Sequence, residues 1–132
     1  MVGYSGTLLI KKLGIEDEMR VRFLHAPDHY GALLVDLPSG LDEAATDGIN
    51  FIHAFYFERA DFEQELPNLM RQLARDGMIW VSWPKKASKV PTTMSEDIIR
   101  KVALPMGLVD VKVCAVDEIW SGLKLMIRKE LR

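Results

Sequence analysis

The sequence is poor in cysteine, with Cys114 as the single one among 132 residues. One cysteine excludes an internal disulfide and leaves nothing to assemble a thiolate metal site. No apolar run approaches the roughly 18 residues that span a bilayer. The N-terminus also lacks the basic head and apolar stretch of a signal peptide. We therefore expect a cytoplasmic location and no membrane partner.

The signatures of several enzyme classes are also missing. The sequence contains no phosphate-binding loop, and Ser82 does not stand in the glycine-flanked pattern of a nucleophilic serine. The three histidines, His25, His29 and His53, lack the spacing of a metal site. His53 lies inside an apolar run, where a hydrogen-bonded core histidine is expected. The sequence predicts neither a metal ion nor another cofactor.

The net charge is small, and the charged residues are distributed unevenly along the chain. The net charge is −2, with 7 Lys/Arg against 13 Asp/Glu in residues 1–76 and 10 against 6 in residues 77–132. The positive excess of the second part is far below a nucleic-acid footprint, and its basic residues are not interleaved with aromatic ones. These features argue against a nucleic-acid partner.

The sequence does contain a regular alternation of strand-like and helix-like segments. Apolar patterning predicts strands at 19–24, 49–57, 78–83, 108–116 and 123–127, and a weak one at 41–46. Helical periodicity predicts helices at 7–13, 30–37, 61–73 and 95–103. Such alternation is typical of an α/β domain with right-handed crossovers and a mostly parallel sheet. The last two strands are expected to form an antiparallel hairpin.

Particular residues predict how the helices begin and where one is interrupted. Asp28 is expected to cap the second helix. Thr93 with Glu96 forms a capping-box pattern for the fourth helix, or Ser95 caps it alone. Pro67 is expected to kink or split the third helix, because it lacks a backbone N–H and clashes with the preceding turn.

Several stretches of the chain resemble known families. The run 73–81, Leu-Ala-Arg-Asp-Gly-Met-Ile-Trp-Val, resembles the helix–turn–strand step of class I methyltransferases, and 108–111, Leu-Val-Asp-Val, resembles the start of their last hairpin. The stretches 3–7, 80–86 and 116–124 are similar to an uncharacterised bacterial family of small proteins. The resemblance implies a single α/β domain with a Rossmann-like, mostly parallel sheet, helices on both faces and a C-terminal antiparallel hairpin. Residues 1–18 would form its helical lead-in.

The loop after the first strand departs from the methyltransferase pattern. Those enzymes have a glycine-rich loop there, because only a backbone without side chains lets the amino-acid part of S-adenosylmethionine (SAM) approach. Here the loop 25–31 reads His-Ala-Pro-Asp-His-Tyr-Gly, in which Pro27 removes an N–H group and Tyr30 adds bulk. The acidic residue for the ribose would be Asp42 or Glu43. The sequence therefore predicts that SAM does not bind.

Ligands of open parallel sheets bind at the carboxyl ends of the strands. The candidate residues at this edge are His25, Asp28, His29, Tyr30, Glu58, Arg59, Trp83, Lys85, Lys86, Asp117, Glu118 and Trp120. Lys85 and Lys86 follow a strand that ends at Pro84, and the next helix start lies close by, so a phosphate or carboxylate is the expected ligand. Asp117 and Glu118 could instead pair with the two lysines.

These observations leave three interpretations of function. The first is a non-catalytic methyltransferase-like module that binds a small anionic ligand or a protein partner at the carboxyl edge. The alternative is a SAM-dependent methyltransferase, or another small-molecule enzyme, using the same edge. The third is a nucleic-acid module using the lysine-bearing loop 84–92. The glycine-poor loop favours the first over the second, and the charge pattern disfavours the third.

Overall fold

The computed structural model describes residues 8–132, which contain one five-stranded sheet. Its strands are β1 (Val21–Leu24), β2 (Ile49–Phe55), β3 (Leu73–Pro84), β4 (Leu108–Ala115) and β5 (Trp120–Ile127), in the spatial order β1-β2-β3-β5-β4. β1, β2 and β3 pair in parallel, whereas β5 runs antiparallel to both β3 and β4. The predicted α/β fold and its C-terminal antiparallel hairpin are confirmed.

Helices pack against both faces of the sheet. They are α1 (Leu9–Leu13), α2 (Tyr30–Leu33), α3 (Arg59–Gln72) and α4 (Glu96–Ala103). Successive residues of a strand face opposite sides of a sheet, so Ile52 lies in a core cluster with α3 and α4 and Phe51 lies in another with α1 and α2. The predicted arrangement of helices on both faces is confirmed. No helix within residues 8–132 is long and apolar enough to cross a membrane.

The weak strand predicted at 41–46 is not formed. Asp42 makes only an isolated parallel bridge with Arg20, beside the start of β1. Its carboxylate accepts a hydrogen bond from the Ala44 N–H at 2.9 Å, which favours a local turn over an extended ladder. β1 is therefore one of the two edge strands of the described sheet, with β4 at the opposite edge.

The helix after β1 is shorter than the sequence predicts. α2 is a single turn whose N-cap position is His29, and Asp28 does not cap it. Leu37 lies beyond the helix and is 51% exposed, although it was expected on the apolar face. The predicted start of the first helix, at Thr7, lies outside the described residues.

The interior of α3 and the start of α4 test two further predictions from the sequence. Pro67 lies inside α3 without splitting it, because the buried Leu66 and Leu69 on either side anchor the helix to the core. Ser95 caps α4 alone by accepting a hydrogen bond from the Ile98 N–H at 3.1 Å. Thr93, the other candidate cap, instead accepts one from the N–H at the start of α3.

Candidate ligand-binding site

An open cleft of about 340 Å³ lies where β1 and β2 end and α3 begins. We call it the β1–β2 cleft, and it is lined by His25, Phe55, Tyr56, Phe57, Asp61 and Glu65. The two strands run in parallel, so the residues that follow them meet at one edge, and the first turns of α3 complete the wall. This is the edge at which open α/β sheets bind ligands.

Three polar side chains of the cleft form one hydrogen-bonded group. The Tyr56 hydroxyl donates to Glu65 Oε1 at 2.6 Å, and His25 Nε2 lies 3.0 Å from each carboxylate oxygen of Glu65. The His25 ring also packs edge-on against Tyr56. Burial, and then the nearby carboxylates of Glu65 and Asp61, raise the pKa of Tyr56 far above its usual value. Tyr56 is therefore a permanent donor that helps to hold Glu65 in place.

The backbone of His25 is bent into the left-handed region, with φ at 58°. A residue other than glycine in this conformation carries strain of about 1 kcal/mol or more. The bend turns the chain sharply out of β1, ahead of Pro27. It leaves the imidazole half exposed and next to Glu65, so strain at this position accompanies the placement of a polar side chain at the cleft.

The remaining lining of the cleft is acidic and aromatic. Asp61 lies one helical turn before Glu65, and within residues 8–132 its carboxylate makes no hydrogen bond or ion pair. Phe57 is 49% exposed, and its ring packs against that of Trp120 at a centroid distance of 5.1 Å. No lysine or arginine is among the lining residues, so the formal charge of the cleft is negative.

Tyr30, a predicted ligand residue, belongs instead to a buried polar chain. Its hydroxyl lies 2.6 Å from His53 Nδ1, and His53 Nε2 lies 2.7 Å from the Ser82 hydroxyl. Burial lowers the pKa of His53 to about 3, so the ring is neutral. The expectation that His53 is a hydrogen-bonded core residue is confirmed, and the chain links α2 to β2 and β3.

A histidine–carboxylate pair, His29 with Asp117, joins the N-cap position of α2 to the turn between β4 and β5. His29 Nε2 lies 2.5 Å from Asp117 Oδ2, while Asp117 Oδ1 accepts hydrogen bonds from the N–H groups of Ile119 and Trp120. Burial opposes ionisation of Asp117, but the hydrogen bonds from Trp120, His29 and Ile119 outweigh it and lower the pKa of Asp117. Asp117 therefore shapes the turn, and Trp120 is buried beneath it.

The two lysines of the predicted anion site lie at the end of β3, outside the β1–β2 cleft. Lys85 donates its backbone N–H to Ile119 O, and within the described chain neither lysine side chain has an ion-pair partner. The hydroxyls before α4 have partners of their own, because Thr92 donates to Phe57 O and Ser95 caps α4. Among these hydroxyl and ammonium groups, the two lysine ammonium groups remain without a partner within the described chain.

The other predicted residues are dispersed around the same edge. Arg59 pairs with Glu63, and Glu58 accepts a hydrogen bond from Thr93. Trp83 is buried. Asp28 and Glu118 are exposed.

Of the predicted site residues, only His25 lines the β1–β2 cleft. Sequence reasoning missed Tyr56, Asp61 and Glu65. The available signal was a tyrosine at the end of a buried strand, followed by two carboxylates four positions apart on the next helix.

The surroundings of β1 do not fit a SAM site. Rossmann-like sheets bind a nucleotide where the strand order reverses and at the helix start after the first strand. Here β1 is an edge strand, and the four-residue α2 begins with the buried Tyr30. Asp42, a candidate ribose ligand, pairs beside Arg20, roughly 13 Å from the carboxyl end of β1 at 3.3 Å per residue. Within residues 8–132 no group of side chains could hold a metal ion.

Several solved structures are similar to this chain in fold. A SAM dependent methyltransferase from Aquifex aeolicus has a TM-score of 0.65 and 14% identity, over 91% of this chain and 88% of that chain. The ribosomal protein L11 methylase from Lactobacillus delbrueckii subsp. bulgaricus has a TM-score of 0.55 and 12% identity, over 90% and 74%. A TehB-like SAM-dependent methyltransferase from Corynebacterium glutamicum has a TM-score of 0.52 and 11% identity, over 85% and 82%. These likenesses show the methyltransferase-like fold.

Sequence similarity points to a family whose activity is not described. No curated protein matches the chain. The model of the family described as "Protein of unknown function (DUF3052)" matches residues 32–129, which is most of the chain. The protein therefore belongs to the DUF3052 family and has a methyltransferase-like, Rossmann-like fold.

Proposed function

We propose that the protein is a non-catalytic binding module of methyltransferase-like fold, with the β1–β2 cleft as its ligand site. The observation that carries this proposal is the structure around β1. The proposal is supported by the four-residue α2 and the glycine-poor loop that follow β1, and by the open cleft with a hydrogen-bonded polar group beside them. Its volume of about 340 Å³ is at the small end of the usual range for ligand pockets.

The organisation of the cleft supports binding rather than packing alone. Buried polar groups that only stabilise a core are enclosed, as in the chain of Tyr30, His53 and Ser82. In the cleft, by contrast, Glu65 is fixed by two partners while it stays accessible, and the half-exposed Phe57 adds an apolar wall. A few fixed polar groups beside aromatic surface are what small-molecule sites commonly contain.

Methyl transfer from SAM is the second candidate, and the similarity to proteins described as SAM-dependent methyltransferases favours it. At 14% identity or less, that similarity concerns the fold, and folds host many functions. Titration calorimetry with SAM and S-adenosylhomocysteine separates the two candidates. We expect no dissociation constant in the micromolar range, where binding is worth about −8 kcal/mol. Micromolar binding of either compound would establish the methyltransferase candidate instead.

A thermal-shift panel of metabolites tests the cleft itself. A ligand at a hundred times its dissociation constant stabilises a protein by about 2.7 kcal/mol and raises Tm by roughly 10 °C at this size. We expect Glu65→Gln to abolish the shift caused by an active compound. Glu130→Gln, which changes an exposed carboxylate outside the cleft, should preserve it. Equal shifts in both variants would remove the cleft as the site.

A further inference from the structure

We propose that the β1–β2 cleft selects ligands carrying an ammonium group, with Asp61 as the counter-ion and Phe57 as the aromatic wall. This inference rests on the proposed function and adds the chemical class of the ligand. It starts from the charges that face the cleft. Asp61 and Glu65 both line it, and His25 is the one lining residue that can become positive.

The two carboxylates differ in how far they are already satisfied. Glu65 accepts one hydrogen bond from Tyr56 and faces the His25 ring, so part of its hydrogen-bonding capacity is used within the cleft. The Asp61 carboxylate has no hydrogen-bond or ion-pair partner within residues 8–132. Like charges one helical turn apart repel each other, so an incoming cation relieves this repulsion and an incoming anion increases it.

Within residues 8–132, Asp61 forms no ion pair with a cationic side chain. Arg59, on the first turn of α3, forms its ion pair with Glu63 at 3.3 Å. Arg22, on β1, donates to the neutral Gln72 at the far end of the same helix, so it keeps its charge but forms no ion pair with Asp61. The negative charge of Asp61 is therefore available to a ligand.

Phe57 supplies the second half of the recognition. The side-chain hydroxyl of Thr92 and the N–H of Thr93 both donate to the carbonyl oxygen of Phe57, so its backbone is fixed from the neighbouring loop. Its ring is supported by Trp120 and remains 49% exposed at the cleft. A cation beside a carboxylate and against an aromatic face gains from both. The ammonium group could belong to a free small amine or to the lysine side chain of a protein partner.

Amide chemical-shift mapping on the full chain tests this class with three probes that share one ring, namely benzylamine, benzyl alcohol and benzoate. We expect benzylamine to shift the amides of residue 25 and residues 55–61 saturably, benzyl alcohol to bind about tenfold more weakly, and benzoate to leave them unchanged. Nα-acetyllysine methylamide is the fourth probe. Tighter binding of this compound than of benzylamine assigns the ammonium group to a protein side chain, and the reverse order assigns it to a free amine.

A matched pair of variants separates Asp61 from a general charge effect. Asp61→Asn should weaken benzylamine binding about tenfold. Asp97→Asn, which removes a carboxylate from the first turn of α4 outside the cleft, should leave it unchanged. Equal losses in the two variants would overturn the role of Asp61.

The probes also distinguish failure of this inference from failure of the proposed function. Benzoate binding as tightly as benzylamine at the same amides would overturn the ammonium class and keep the cleft as a binding site. If no probe shifts the cleft amides while one shifts others, both the ammonium class and the cleft as the site are overturned.

Discussion

Lowering the pH from 7.5 to 5 should destabilise the protein through His53, which is fully buried between Tyr30 and Ser82. Burial lowers the pKa of His53 from 6.5 to about 3 in the folded state. Below pH 6.5 the unfolded chain therefore binds a proton that the folded protein does not bind. Stability falls with pH by roughly 1.4 kcal/mol per unit in this window, or about 2 kcal/mol at pH 5. That is a large part of the stability of a small domain.

Urea denaturation followed by tryptophan fluorescence measures this effect, with His53→Gln as the control. Glutamine cannot titrate in this range but offers both a donor and an acceptor. The difference between the two proteins isolates the contribution of residue 53 from that of every other group. If His53→Gln lost as much stability as the unmodified protein between pH 7.5 and pH 5, the assigned role of His53 would be refuted. If the variant does not fold, NMR of the native protein decides, because the His53 ring must remain neutral down to pH 4.

Three further predictions concern stability. Asp117→Ala removes the acceptor of two turn N–H groups and the partner of His29, and should cost about 1–2 kcal/mol in urea denaturation. Gly77→Ala would place a Cβ 2.8 Å from a carbonyl oxygen of β2, and should cost about 1–3 kcal/mol in the same assay. The double change of Lys85 and Lys86 to alanine should leave Tm unchanged, because neither ammonium group has an ion-pair partner among residues 8–132.

Each of these predictions has an outcome that contradicts it. Alanine at the exposed neighbour Glu118 is the control for Asp117, and equal losses at the two positions would mean that Asp117 does not organise the turn. An unchanged stability of Gly77→Ala would mean that β2 and β3 can separate there at little cost. A lower Tm for the double lysine variant would show that the lysines have structural partners. If that variant lost a phosphorylated ligand that Glu65→Gln still bound, the predicted anion site would be separate from the cleft.

The fold could be predicted because local patterns specify it almost completely. The continuous apolar run at 49–57 predicted a strand buried on both faces, and six of the seven residues of β2 are buried. The two segments before and after Asp117 predicted the hairpin of β4 and β5. Periodicity and turn residues act over a few positions, so they can be read without knowing the tertiary structure.

Predictions that needed a partner elsewhere in the chain were weaker. The segment 41–46 has strand-like character, but a strand requires a ladder, and Asp42 satisfies its carboxylate within its own turn. The helix predicted at 30–37 ends at Leu33. Its first residue, Tyr30, is buried, and its hydroxyl is hydrogen-bonded to His53. A missing ladder and a local turn decided the first outcome, whereas a contact with a distant residue accompanies the second.

The sequence by itself predicted the sheet, its closing hairpin and one residue of the cleft, His25, but not Tyr56, Asp61 or Glu65. Only the tertiary structure decided which of these residues meet. His25 and Glu65 are 40 positions apart, yet the imidazole lies 3.0 Å from the carboxylate. Their meeting depends on the backbone bend after β1 and on how α3 is rotated against β2. From the local sequence pattern alone, the carboxylates of Asp61 and Glu65 cannot be distinguished from those on an ordinary solvated helix face. Packing of α3 through Phe62, on its other side, makes them the wall of a cleft.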